Sequence, residues 1–166
     1  MERWLENLSG TSLSLDGITL LQEFIKPADS TITLLEFIDG TFFYAVQVDT
    51  SEGFELCPAD PCEPDSGFCT ALDDQTNARK YKFTLVDGFY DNYLIPKLES
   101  FFSEHNIEIA AAEFVEDANG NRYVYDLNMN TNYNQQAEQE AGKKKRAMHH
   151  VATFLGDLLQ NYNIPR

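Results

Sequence analysis

Two stretches of the chain alternate or cluster apolar residues at strand spacing and are broken by a turn dipeptide. The first is residues 32–48, ITLLEFIDGTFFYAVQV, with Asp39-Gly40 at its centre. The second is residues 107–134, IEIAAAEFVEDANGNRYVYDLNMNTNYN, with Asn119-Gly120 between two β-like runs. Asp-Gly and Asn-Gly are the favoured dipeptides of two-residue hairpin turns, because both positions accept positive φ. The pattern therefore predicts two hairpins. In the first, Thr33, Leu35 and Phe37 share one face and Ile32, Leu34 and Ile38 the other, so both faces need cover. Glu36 interrupts this run, and is expected either at an edge or against a cationic partner.

Helical spacing marks two further segments. Tyr93, Leu94, Leu98, Phe101 and Phe102 predict a helix over about 92–105, with Pro96 in its first turn. Ala147, Met148, Val151, Phe154, Leu155, Leu158 and Leu159 mark the apolar stripe of a terminal helix over about 143–161. Residues 18–25, ITLLQEFI, read as a buried strand stopped by Pro27. Residues 81–86 suggest a short strand or loop, and residues 1–9 a short amphipathic helix. Pro58, Pro61 and Pro64 exclude a helix from the long loop 49–80. The expected fold class is α+β: a mainly antiparallel sheet of hairpins packed by helices, in a single domain spanning 1–166.

Counting outward from a two-residue Asn119-Gly120 turn places Ala118 opposite Asn121, Val115 opposite Val124 and Glu113 opposite Asp126. Asn128 lies two residues beyond Asp126 on the same face. Cross-strand carboxylates with Cβ atoms about 5 Å apart repel, so the pair needs either a cation or a solvated setting. Two carboxylates and an amide oxygen suit a hard cation such as Mg²⁺, which is usually held by one or two carboxylates together with substrate phosphates. The run Asn128 to Asn134 carries four asparagines at alternate positions. It is a poor strand and a poor helix, and reads either as ligating loop or as a plain turn between strand and helix.

Composition narrows the functional classes. The net charge of −15 opposes a nucleic-acid or anionic-membrane surface, since both select basic patches. No apolar run reaches the roughly 18 residues of a transmembrane helix, and the N-terminus has no signal-peptide pattern. Cys57, Cys62 and Cys69 are odd in number and fit no common zinc spacing, so reduced thiols and a cytoplasmic location are expected. Lys143 to Arg146 reads as a solvated basic patch. His105, His149 and His150 have no carboxylate or cysteine grouping in sequence, and read as surface or helix-face residues.

Glu113-Phe114, a hairpin, and Tyr125-Asp126-Leu127-Asn128 together resemble the end of an ATP-grasp domain, in its glutamate-ligase-like carboxylate–amine ligase branch. The resemblance covers about residues 18–161, the C-terminal half of that family's catalytic unit. It implies ATP and Mg²⁺ (or Mn²⁺) as cofactors, with Glu113, Asp126 and Asn128 holding metal. It implies that the backbone of Gln22, Glu23, Phe24 and Ile25 frames the adenine as a hinge strand. The reaction implied is carboxylate activation through an acyl phosphate and amide or peptide bond formation, with an acid and an amine as substrates. The phosphate-covering N-terminal lobe of that family, with its lysine pair and glycine-rich loop, is expected to lie outside this sequence, which would be either a fragment or a subunit that needs another chain as partner. The family pattern also places arginine near position 34 and a basic residue near 47, where this chain has Leu34 and Gln47. That departure leaves two other readings open: a diverged nucleotide- and metal-binding module without catalysis, or a structural interaction domain.

Overall fold

The computed structural model describes residues 22–51, 82–131, 133–142 and 146–161. Five antiparallel strands form one sheet: β1 (Thr31–Ile38), β2 (Thr41–Asp49), β3 (Phe83–Val86), β4 (Ile109–Glu116) and β5 (Arg122–Asn128). Their order across the sheet is β3-β2-β1-β4-β5. Three helices complete the described chain: α1 (Leu94–His105), α2 (Gln135–Glu140) and α3 (Ala147–Asn161). The expected α+β class and the single sheet of hairpins are observed. None of the helices among the described residues is long and apolar enough to cross a membrane.

The central strand, β1, is covered on both faces, as its apolar pattern requires. On one face Leu35 and Phe37 pack with Ala45, Ala110, Ala112 and Phe114 beneath Ile95, Leu98 and Phe102 of α1. On the other, Ile38, Tyr44 and Val46 meet Ala147, Val151 and Phe154 of α3. Small residues on β4 let the helix approach the sheet closely, while Phe37 and Phe102 meet edge-to-face at 4.9 Å. α1 opens on Asp91, whose carboxylate accepts from the Tyr93 and Leu94 amides at 2.8 and 2.7 Å. It ends on Asn106, left-handed at φ 54°, with the Ile107 amide returning to the Phe102 carbonyl.

The Asp39-Gly40 hairpin has the expected two-residue turn. Ile38 pairs with Thr41, and both turn residues have positive φ. The Asn119-Gly120 turn does not. Asp117 donates its amide to the Asn121 carbonyl, and the Gly120 amide returns to the Asp117 carbonyl. The loop therefore contains three residues, Ala118, Asn119 and Gly120, with Gly120 alone at positive φ. The cause is Asp117. Its carboxylate accepts from the amides of Asn119 and Asn121 and from the Asn121 side chain, at 2.8 to 3.0 Å. Aspartate at the first position of such a turn satisfies loop amides that a two-residue turn would not present. Those bonds, the Asn121 side chain foremost, hold the Asp117 carboxyl down at about 2.

The longer loop shifts the register by one, so Val115 pairs with Tyr123 and not with Val124. A bulge between Glu113 and Phe114, with Tyr125 as the extra residue on β5, shifts it back. Glu113 faces Asp126 as expected, by a different route.

Three other expectations change. Gln22 to Ile25 are not part of the sheet. β2 and β4 occupy both edges of β1, and Pro27 lacks an amide for a ladder. The segment instead runs past the end of the sheet, where Ile25 packs with Ile32, Val48 and Val115 and the Ala28 amide bonds the Glu116 carbonyl. The stripe on the terminal helix is split. Ala147, Val151 and Phe154 face the sheet, whereas Met148, Leu155 and Leu159 are 56%, 47% and 67% exposed. A helix lying on a flat sheet buries one narrow arc, and the sequence offers more apolar positions than that arc holds. Glu36, finally, is neither at an edge nor against a cation. Residues 1–21 and 52–81, with the cysteines and the N-terminal part of the expected hinge strand, lie outside the described residues, as do Lys143 to Lys145.

Candidate functional site

The face of the sheet turned toward α3 carries the acids. One row across it runs Asp126, Glu113, Leu34, Val46 and Leu85, and the next runs Asn128, Ala111, Glu36 and Tyr44. The three residues expected to hold metal therefore share a face. Glu113 and Asp126 are direct cross-strand partners, and Asn128 stands on the adjacent row. Burial raises the Glu113 carboxyl above its ordinary value, the Tyr125 hydroxyl lowers it by donating at 2.8 Å, and the charge on Asp126 raises it again. Tyr125 is the bulge residue, so the irregularity that restores the register also places a donor on Glu113.

These are hard oxygen donors on one surface, the chemistry that suits Mg²⁺. Among the described residues, no group of three or more His, Cys, Asp and Glu is placed to hold a metal ion. The described donors alone would not make an all-protein cage.

Leu34 is the residue of β1 paired with Glu113. Leu34, near which an arginine was expected, thus lies against the acidic pair and offers only an aliphatic surface. Gln47 pairs with Thr33 and belongs to the opposite face, so it does not approach these acids. Gln22 to Ile25, expected to frame the adenine, pass near the turn end of the same hairpin, where the charge of Glu23 reaches the Tyr123 hydroxyl.

The Asn-rich run is in part architectural. The Asn128 side-chain oxygen accepts from the Asn130 amide at 2.8 Å, and Asn134 caps α2 by accepting from the Ala137 amide at 2.8 Å. Thr131, in the same run, donates to both oxygens of Glu36 at 3.0 and 2.9 Å.

Glu36 is the residue that sequence reasoning left unplaced. It is 2% exposed, on the central strand, beneath the loop that follows β5. Burial pushes its carboxyl up to about 7; Thr131 opposes that shift, and Glu113 and Glu138 add to it. Glu138, 1% exposed, accepts from the Tyr44 hydroxyl at 3.1 Å and from the Ala147 amide at 2.7 Å. It therefore caps α3 at the end where the helix dipole favours an anion. Its second oxygen and the Tyr133 hydroxyl are buried with no hydrogen-bond partner among the described residues. Burial, with Glu36 and Glu138 beside it, pushes the Tyr133 hydroxyl up to about 12. The one sequence signal for this network was an acid inside an otherwise apolar strand.

No protein-family model matches the sequence, and no curated protein matches it. Solved structures do. The D-cycloserine synthetase DcsG superposes with TM-score 0.51 at 14% identity, over 83% of this chain and 41% of that one. The ATP-grasp ligase PsnB complexed with minimal precursor superposes with TM-score 0.50 at 12% identity, over 84% and 37%. A further PsnB structure, with a phosphomimetic precursor variant, Mg and ADP, gives 0.49 at 12% identity, over 84% and 35%. The chain thus spans well under half the length of these ligases. The five-stranded antiparallel sheet, its helices and the first two superpositions give the chain an ATP-grasp-like fold.

Proposed function

We propose that this chain is the C-terminal portion of an ATP- and Mg²⁺-dependent carboxylate–amine ligase. The observation that carries the reading is the cross-strand pair Glu113–Asp126 with Asn128 on the same face, set in an ATP-grasp-like sheet. Glu113, Asp126 and Asn128 would hold Mg²⁺ (or Mn²⁺) jointly with the phosphates of ATP. The ion would offset phosphate charge as an acyl phosphate forms and an amine displaces it. The backbone of Gln22 to Ile25 would frame the adenine, and a separate lobe would cover the phosphates. On this reading the three cysteines are reduced thiols and the location is cytoplasmic.

Leu34 supports a second reading, a module that binds Mg-nucleotide without turnover. An arginine fork stabilises developing phosphoryl charge in a way that an aliphatic side chain cannot. Thermal unfolding with Mg²⁺, ATP or both tests the shared part of the two readings. Stabilisation that needs metal and nucleotide together is expected, by mass action on the folded state. No stabilisation at millimolar concentrations of both would reject both readings. Sustained, protein-proportional ADP release with mixed acids and amines would select the ligase.

A further inference from the structure

A second concave site lies on the α3 side of the sheet, at the far end of β1 from the acidic pair. It is a cleft of about 420 Å³ between the β1–β2 turn and the C-terminal half of α3. That volume is in the range of small-molecule pockets. Ile38 at its floor lies four residues along β1 from Leu34, the partner of Glu113, or about 13 Å of strand. The cleft therefore shares the sheet face of the candidate metal residues but lies apart from them along β1.

Its lining is aromatic and anionic. Phe43, His150 and Phe154 supply ring surface, and Phe43 and His150 lie against each other at 4.6 Å. Asp39 and Asp157 supply two carboxylates, one from the turn and one from α3, both exposed. Neither carboxylate has a hydrogen-bond or ion-pair partner among the described residues. Among the described residues, no lysine or arginine lines the cleft. Ring faces attract cations through their quadrupoles, and a cation between them and free carboxylates meets complementary charge from both. We propose that this cleft binds a small organic cation, an ammonium group carried on an aryl or alkyl body. The body packs on the rings, and the ammonium sits toward Asp39 and Asp157.

The test is a methyl NMR titration of the full chain with three probes of one shape: phenethylammonium, 2-phenylethanol and 3-phenylpropanoate. The ammonium should shift the methyl signals of Ile38 and Leu158, both in the cleft wall, and bind at least ten-fold tighter than the alcohol. The carboxylate should bind weakest. The double substitution D39N/D157N should bring ammonium affinity down to that of the alcohol. Asparagine tolerates the positive φ of Asp39, and Asp157 is on an exposed helix face, so the variant should melt as the parent does. A control, E104Q, removes a charge outside the cleft and should leave affinity unchanged. Equal binding of ammonium and alcohol to the parent chain would overturn the proposal. So would shifts away from the cleft, or an equal loss in E104Q, which would trace the attraction to overall charge. The titration needs neither metal nor nucleotide, so its result stands apart from the ligase reading.

Discussion

At the scale of single residues, Glu36 couples stability to pH. Its carboxyl is pushed from an ordinary 4.5 up to about 7 by burial, so the folded state holds its proton more tightly than the unfolded chain does. The stabilisation from that proton is complete below about pH 4.5 and is lost as pH rises through 7. A shift of this size corresponds to roughly 3 kcal/mol, since each unit is about 1.4. Glu36→Gln mimics the neutral acid and still accepts from Thr131. The variant should match the parent in urea unfolding at pH 4.5, and exceed it by about 2–3 kcal/mol at pH 8. A parent equal to the variant at pH 8 would mean that Glu36 ionises freely in place.

The acidic pair makes a separate prediction. Asp126→Asn keeps the shape and removes one of two facing charges. Without metal the variant should be at least as stable as the parent. Its stabilisation by Mg²⁺ with ATP should be clearly smaller than the parent's, by urea unfolding with and without both. A structural pair held by an outside cation predicts the reverse, a variant that loses stability and a parent indifferent to metal.

Secondary-structure elements carry their own liabilities. Asp91 joins α1 to the outer hairpin, because it caps the helix with one oxygen and pairs with Arg122 through the other. Arg122 in turn lies over the Phe114 ring and pairs with Glu116. Asp91→Ala removes the cap and the pair together and should cost about 2–3 kcal/mol, a cap contributing about 1. Asp91→Asn keeps a capping oxygen and should lose about half as much, measured by thermal or urea unfolding. The two would lose equally if the ion pair alone mattered.

Elements were also where the sequence was most and least legible. Asp39-Gly40, the α1 spacing and the two apolar faces of β1 followed from local chemistry, because each signal lies within a few residues of its effect. The partnership of Glu113 with Asp126 was legible, but its route was not. Counting from Asn-Gly ignores that Asp117 can satisfy three groups of a longer loop, and no local pattern announces a bulge at Tyr125. Glu36 was visible only as an anomaly. Its donor, Thr131, comes from a distant part of the chain, and strand alternation does not say which strand is central. The exposed Met148, Leu155 and Leu159 looked like core for the opposite reason, since periodicity reports apolar character and not the width of the surface that covers it.

For the whole molecule, the fold is ATP-grasp-like, while Leu34 stands beside Glu113 where an arginine was expected. The purified 166-residue chain should release no ADP above background with Mg-ATP and mixed acids and amines. On the proposed reading, in which a separate lobe covers the phosphates, Leu34→Arg alone should not create turnover. Coupled ADP detection checks both proteins, and sustained release by either would show that this portion is catalytically sufficient.

The strand order has a kinetic consequence. β1–β2 and β4–β5 are each hairpins closed by a short turn, whereas β1 meets β4 only after a long stretch of chain. Local contacts can form in microseconds, and the distant seam must wait for chain closure. The rate-limiting step should therefore be the zipping of two preformed hairpins along the Leu35–Ala112 line. In chevron analysis, Gly120→Ala strains a turn already formed at the barrier and should mainly slow folding. Phe102→Leu, in the helix that packs over the seam, should mainly speed unfolding.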